Sequence, residues 1–127
     1  MEREHEEAMR REFTDRVELG RNMVRPSVTD TELDQIEQQR REVDQRWRSG
    51  PHAEHWGYLD QAYRDWRDRP DTMARFVETV AYERSQGWDR GMTNVQFRSQ
   101  EQACRLTAPD RARAEQRGQR SRRLRWR

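Results

Sequence analysis

Apolar residues in this chain recur mostly at helical spacing. Met9, Phe13 and Val17 stand at i, i+4 and i+8, and Met23 or Val24 continues the row past Gly20, predicting a helix over about 2–24. Around that row, Glu6–Arg10, Glu7–Arg11 and Glu12–Arg16 each put the acid four residues before the base, the stabilising order for helical ion pairs. Arg25-Pro26-Ser27 interrupts the pattern, because proline disfavours helical backbone at the residue before it. A second helix over 30–48 has a strong start signal: Thr29 as cap, Glu32 three residues on, and Val28 with Leu33 as a hydrophobic staple. Its apolar row runs Leu33, Ile36, Arg40, Val43, Trp47, with one polar position at Arg40. Glu37–Arg41, Glu42–Arg46 and Asp44–Arg48 lace its outer side, and Ser49-Gly50-Pro51 ends it.

A third stripe over 52–68 holds His52, His55 or Trp56, Leu59, Ala62 or Tyr63, and Trp66. Asp68-Arg69-Pro70-Asp71 reads as a turn. A fourth helix over 71–86 carries Met73, Phe76, Val77 and Val80, with Gly87 as its stop. Beyond it the pattern decays. Residues 88–110 read as an irregular segment in which a short helix over 94–106 and a strand pair through Val95 and Phe97 both fit, with Pro109 as the end. The expected architecture is all-α: a small antiparallel bundle of three to four helices, an irregular 88–110 segment, and a basic C-terminal tail. In domain terms, 1–106 is one helical domain and 107–127 an Arg-rich tail. The Met9/Phe13/Val17 row is narrow enough to serve a coiled-coil homodimer instead.

Composition sharpens this picture. The chain has 127 residues, of which 39% are charged and 31% hydrophobic, and Leu, Ile, Val and Phe together make up about 13%. So thin an aliphatic supply argues against a large enzyme with a deep pocket. Four of the five tryptophans (Trp47, Trp56, Trp66 and Trp88) fall between residues 47 and 88, so aromatic rings are the natural material for the core. The same rings give a second reading: Trp47, Trp56, Tyr63 and Trp66 as a protein interface, if they gather outside. All 26 basic residues are arginine. Lysine codons are AT-rich, so a high-GC genome accounts for that bias. The short, lysine-free, charge-dense chain resembles small phage- or plasmid-encoded accessory proteins of high-GC bacteria.

Charge is distributed unevenly. Residues 1–80 hold 14 Arg against 19 acids, whereas 111–127 hold eight Arg and one acid. An arginine-dense end can neutralise successive phosphates, and an adjacent aromatic ring can stack on an unpaired base. The candidate nucleic-acid-binding residues are therefore Arg117, Arg120, Arg122, Arg123, Arg125, Trp126 and Arg127. The helices over 30–48 and 52–68 are acid-laced and lack a basic recognition face, which argues against a helix-turn-helix reader.

Other chemistry is sparse. His52 and His55 sit one turn apart, and His5 follows Glu2 by three residues, but neither motif supplies a full ligand set. Cys104 beside Arg105 has no histidine near it in sequence, and one cysteine makes no internal disulfide. No Gly-rich phosphate loop or G-x-S-x-G motif occurs. The N-terminal run has no apolar core of a signal peptide, and nothing is long enough to span a bilayer. The expectation is a cytoplasmic, non-enzymatic protein without cofactor, metal, membrane or small-molecule substrate. It would bind nucleic acid through its basic end while the helical body contacts protein or dimerises. The alternative is a protein-interaction module (an inhibitor, antitoxin-like or assembly factor) using an acidic and aromatic helical surface.

Overall fold

The computed structural model describes residues 1–88 and 91–125, with the side chains of Leu124 and Arg125 left aside. It contains five helices: α1 (Arg3–Asn22), α2 (Asp30–Arg48), α3 (Ala53–Asp68), α4 (Pro70–Ser85) and α5 (Asn94–Arg125). No strand occurs among the described residues, so the strand pair through Val95 and Phe97 is not formed; both residues lie in α5.

The helix ends follow from local chemistry. Thr29 caps α2 by accepting the Glu32 backbone N–H at 3.2 Å. Such a cap stabilises a helix by about 0.5–2 kcal/mol. Only Arg69 separates α3 from α4, and Pro70 opens α4 at its first position, where a missing N–H leaves no bond unmade. Just past the end of α4, Gly87 takes φ +75°. There the Trp88 N–H donates to the Glu83 carbonyl at 2.9 Å and the Gly87 N–H to the Arg84 carbonyl at 3.1 Å, closing the last turn. At the start of α5, Thr93 and Gln96 cap each other: the Gln96 N–H donates to Thr93 Oγ1 at 3.1 Å and the Thr93 N–H to Gln96 Oε1 at 3.0 Å.

The chain divides within α3 into two compact units, Met1–Tyr58 and Leu59–Arg127. In the first, Met9, Phe13 and Val17 of α1 are buried, as is Trp56. The Trp56 ring meets Phe13 edge-on at 5.3 Å and stacks on Trp47 at 5.5 Å. Each indole N–H then needs an acceptor. Trp47 Nε1 donates to Glu12 at 2.7 Å, and Trp56 Nε1 donates to Asp44 at 2.9 Å. Glu12 also pairs with Arg46, while Asp44 pairs with Arg48 at 2.7 Å and faces Arg16 at 3.9 Å. The expected Glu12–Arg16 and Glu42–Arg46 pairs give way to these contacts: Glu12 turns to Trp47 and draws in Arg46, while Glu42 accepts from Gln38 Nε2 at 3.0 Å.

In the second unit, Ala62 and Trp66 of α3, Met73 of α4 and Ala103 of α5 form the buried core, flanked by Tyr63, Val77 and Cys104. Trp66 Nε1 donates to Gln100 Oε1 at 2.9 Å. The helix α5 does not stop at Pro109 but passes through it. Residues 94–110 of the expected irregular segment are thus helical, and residues 107–125 continue that helix rather than hanging as a tail. A proline inside a helix deletes one backbone bond and crowds the preceding turn. That turn is reinforced here: Thr107 Oγ1 donates to the Ala103 carbonyl at 2.8 Å, and Arg111 Nη2 to the Cys104 carbonyl at 2.9 Å.

Candidate nucleic-acid interface

The arginines of α5 fall into two sets. Arg111 is half-buried. Its guanidinium lies over the Trp66 ring at 5.4 Å, binds the Thr107 hydroxyl and the Cys104 carbonyl, and reaches Cys104 Sγ at 3.6 Å. It belongs to the core of the second unit and is not available to a ligand. Beyond it, Arg113, Arg117, Arg120, Arg122 and Arg123 are all exposed. Arg113 pairs with Asp110 at 2.8 Å, and Arg122 Nε donates to the Gly118 carbonyl at 3.4 Å.

Helical periodicity orders these cations. Arg113, Arg117, Arg120 and Arg123 stand at i, i+4, i+7 and i+10, which is one face, over about 15 Å of axis. A nucleic-acid strand presents a phosphate about every 3.4 Å of duplex axis, so the stripe matches a run of about four. Arg122 is offset from the stripe. Glu115 is the single acid beyond Asp110. Cations at the C-terminal end also suit the helix dipole. Of the other candidates, Arg125 closes the helix, and Trp126 and Arg127 lie outside the described residues.

The four aromatic candidates divide between the units. Trp47 and Trp56 stack in the first, where Trp56 is fully buried and Trp47 half-buried. Tyr63 and Trp66 lie in the second, with Trp66 buried and Tyr63 half-buried. The exposed rings are others: Phe76 at 43%, Tyr82 at 60% and Trp88 at 54% of their full accessibility. Tyr82 and Trp88 meet edge-on at 6.4 Å. Phe76, Val80, Trp88 and Met92 supply the apolar wall of a groove of about 270 Å³ that Glu83 and Arg84 also line. The sequence signal for this patch was the i, i+4 pair Phe76/Val80 and the glycine stop at Gly87, which fixes Trp88 just past the helix end.

The three imidazoles do gather. His52 lies 4.9 Å from His5 and 6.3 Å from His55, ring to ring. Burial, and then the neighbouring His5 and His55, hold the His52 imidazole below its ordinary range. Among the described residues no group of three or more His, Cys, Asp or Glu side chains is arranged to hold a metal ion. No described helix is long and apolar enough to cross a membrane. No protein family matches the chain, and neither a curated protein nor a solved structure matches it, so the residues themselves carry the functional argument.

Proposed function

We propose that this chain is a non-enzymatic accessory protein that binds nucleic acid through the exposed arginines at the C-terminal end of α5, while its helical body makes protein contacts. In this reading neighbouring helices within each unit pack antiparallel, as the short junctions favour, and the basic end is the ligand-binding arm. The observation that supports it is the one-faced stripe of exposed arginines Arg113, Arg117, Arg120 and Arg123 on a helical end rich in polar residues. Such a surface buries nothing of its own and is suited to a polyanion.

The test is fluorescence anisotropy of a labelled oligonucleotide with the full chain, wild type against the triple variant Arg117→Gln, Arg120→Gln, Arg123→Gln, across a salt series. The logarithm of the affinity should fall linearly with the logarithm of salt concentration. The triple variant should flatten that slope by about 2–3, at roughly 0.7–0.9 for each lost phosphate contact. Salt-independent binding, or a triple variant that binds as wild type does, removes the proposal. The substitutions leave Arg111 in place, so the Trp66 core is not disturbed.

A protein-interaction module is the second reading, favoured by the exposed groove around Phe76 and Trp88. It predicts a protein complex that survives nuclease and the triple substitution but is lost in Trp88→Ala. The first reading predicts instead that oligonucleotide binding is lost in the triple variant and kept in Trp88→Ala.

A further inference from the structure

Arg40 interrupts the apolar row of α2, yet it does not turn fully to water. The residue is half-buried, and its Nε is buried with no hydrogen-bond partner. Its guanidinium lies against Gly20 of α1, where even a Cβ would meet Arg40 Cζ at 3.4 Å. Nη1 donates to the Met23 sulfur at 3.3 Å. A thioether is a weak acceptor and carries no charge. Other arginines of this unit reach carboxylates: Arg10 pairs with Glu6 at 2.9 Å, Arg48 with Asp44, and Arg46 with Glu12.

A cavity of about 300 Å³ opens beside this guanidinium between α1 and α2. Arg16, Arg40 and Arg41 line it together with Met23, Glu37 and Asp44. Arg16 faces Asp44 at 3.9 Å and Arg41 faces Glu37 at 3.7 Å, so those two cations are balanced within the wall and Arg40 is not. A partly desolvated guanidinium with no carboxylate paired directly to it is unfavourable, and its planar fork matches the oxygens of a tetrahedral oxyanion. We propose that this cavity is a phosphate site in which Arg40, flanked by Arg16 and Arg41, binds the phosphoryl oxygens. The carboxylates in the same wall set the choice of anion. Hydrogen phosphate carries an O–H that can donate to Glu37 or Asp44 while its other oxygens accept from Arg40. Sulfate has no such proton at neutral pH and meets the carboxylates only as like charges.

The site is independent of the α5 arginines, and its test separates the two. Inorganic phosphate is titrated into the full chain by calorimetry and thermal melting, against sulfate and chloride at matched ionic strength. Phosphate should bind and raise the melting temperature more than sulfate does. Arg40→Gln should weaken phosphate binding by about tenfold or more, the effect of losing a charged hydrogen-bonding partner. Arg40→Leu completes the apolar row, so it should melt above wild type without phosphate and gain nothing further from it. Equal responses to phosphate and sulfate, or variants that respond as wild type does, would mean general solute exclusion and overturn the site. Given a phosphate response, its source follows from the oligonucleotide assay. Competition by free phosphate, with weaker binding in Arg40→Gln, identifies a backbone phosphate. Unchanged oligonucleotide binding identifies a free phosphate or a small phosphate ester.

Discussion

At the scale of single residues, two carboxylates do the work that a larger aliphatic core would otherwise do. Glu12 and Asp44 each accept an indole N–H and an arginine, which lets Trp47 and Trp56 pack without orphaned donors. Burial tends to raise the Asp44 carboxyl. The Trp56 and Arg48 hydrogen bonds and the charges of Arg16 and Arg48 outweigh that and hold it below the ordinary carboxylate range. Its folded state therefore binds its proton less readily than the unfolded state does. The stability this contributes is present above the unfolded value of about 3.8 and is lost as pH falls through the lower folded value. Asp44→Ala should destabilise the first unit by about 1–3 kcal/mol, because it strands the Trp56 donor. It should also remove part of the acid dependence below about pH 4, read by tryptophan fluorescence melts across pH. The apolar positions Met9, Phe13 and Val17 were legible as a buried row from spacing alone. The destinations of Glu12 and Asp44 were not. Spacing along one helix shows i, i+4 neighbours, and it recovers Glu6–Arg10, Glu37–Arg41 and Asp44–Arg48. It is blind to an indole 35 residues away that needs an acceptor.

At the scale of elements, helix starts and stops were the most readable feature, because each depends on a few adjacent residues. Thr29 with Glu32, Pro70 and Gly87 announce boundaries that the structure places there: a Thr29 cap on the Glu32 N–H, proline at the start of α4, and the Trp88 and Gly87 N–H groups closing its last turn. Thr93-Asn94-Val95-Gln96 carries the same kind of signal, but the poor apolar spacing after it leaves the extent of the helix open. Pro109 misled for a physical reason: its effect on the helix is local, and support for the turn before it comes from Thr107 and from Arg111 docked on Trp66. Arg111→Ala should therefore lower stability by about 1–3 kcal/mol through the lost carbonyl bond and ring contact. Arg117→Ala, one turn and a half further along, should stay within about 0.5 kcal/mol. Paired thermal melts by circular dichroism distinguish the two, and equal effects would mean that Arg111 is not the anchor.

At the scale of the whole molecule, the rings fall into two separate cores, which no stripe along the sequence announces, since α3 supplies Trp56 to one and Trp66 to the other. His52 gives the first unit a dependence on pH near neutrality. Burial comes first, then repulsion from His5, His55 and the N-terminal amine, with Glu2 opposing; together they lower the His52 value in the folded state from about 6.5. The unfolded chain then binds more protons as pH falls through 6.5, so the folded state loses stability on acidification from pH 7 toward 5.5. His52→Gln should flatten that slope in melting temperature against pH, and an unchanged slope would place the titration elsewhere.

The docking of Arg111 has a further consequence for how the molecule ages. Trypsin-like proteases cut after arginine and need a locally opened backbone. Arg111 is tethered to Trp66, so at the C-terminal end of α5 the vulnerable bonds lie at Arg113 and beyond. Residues 114–127 carry six Arg and one acid, and shedding them takes the formal charge from +2 to −3. A cut after Arg113 would thus leave a remnant whose formal charge has the opposite sign to that of the whole chain.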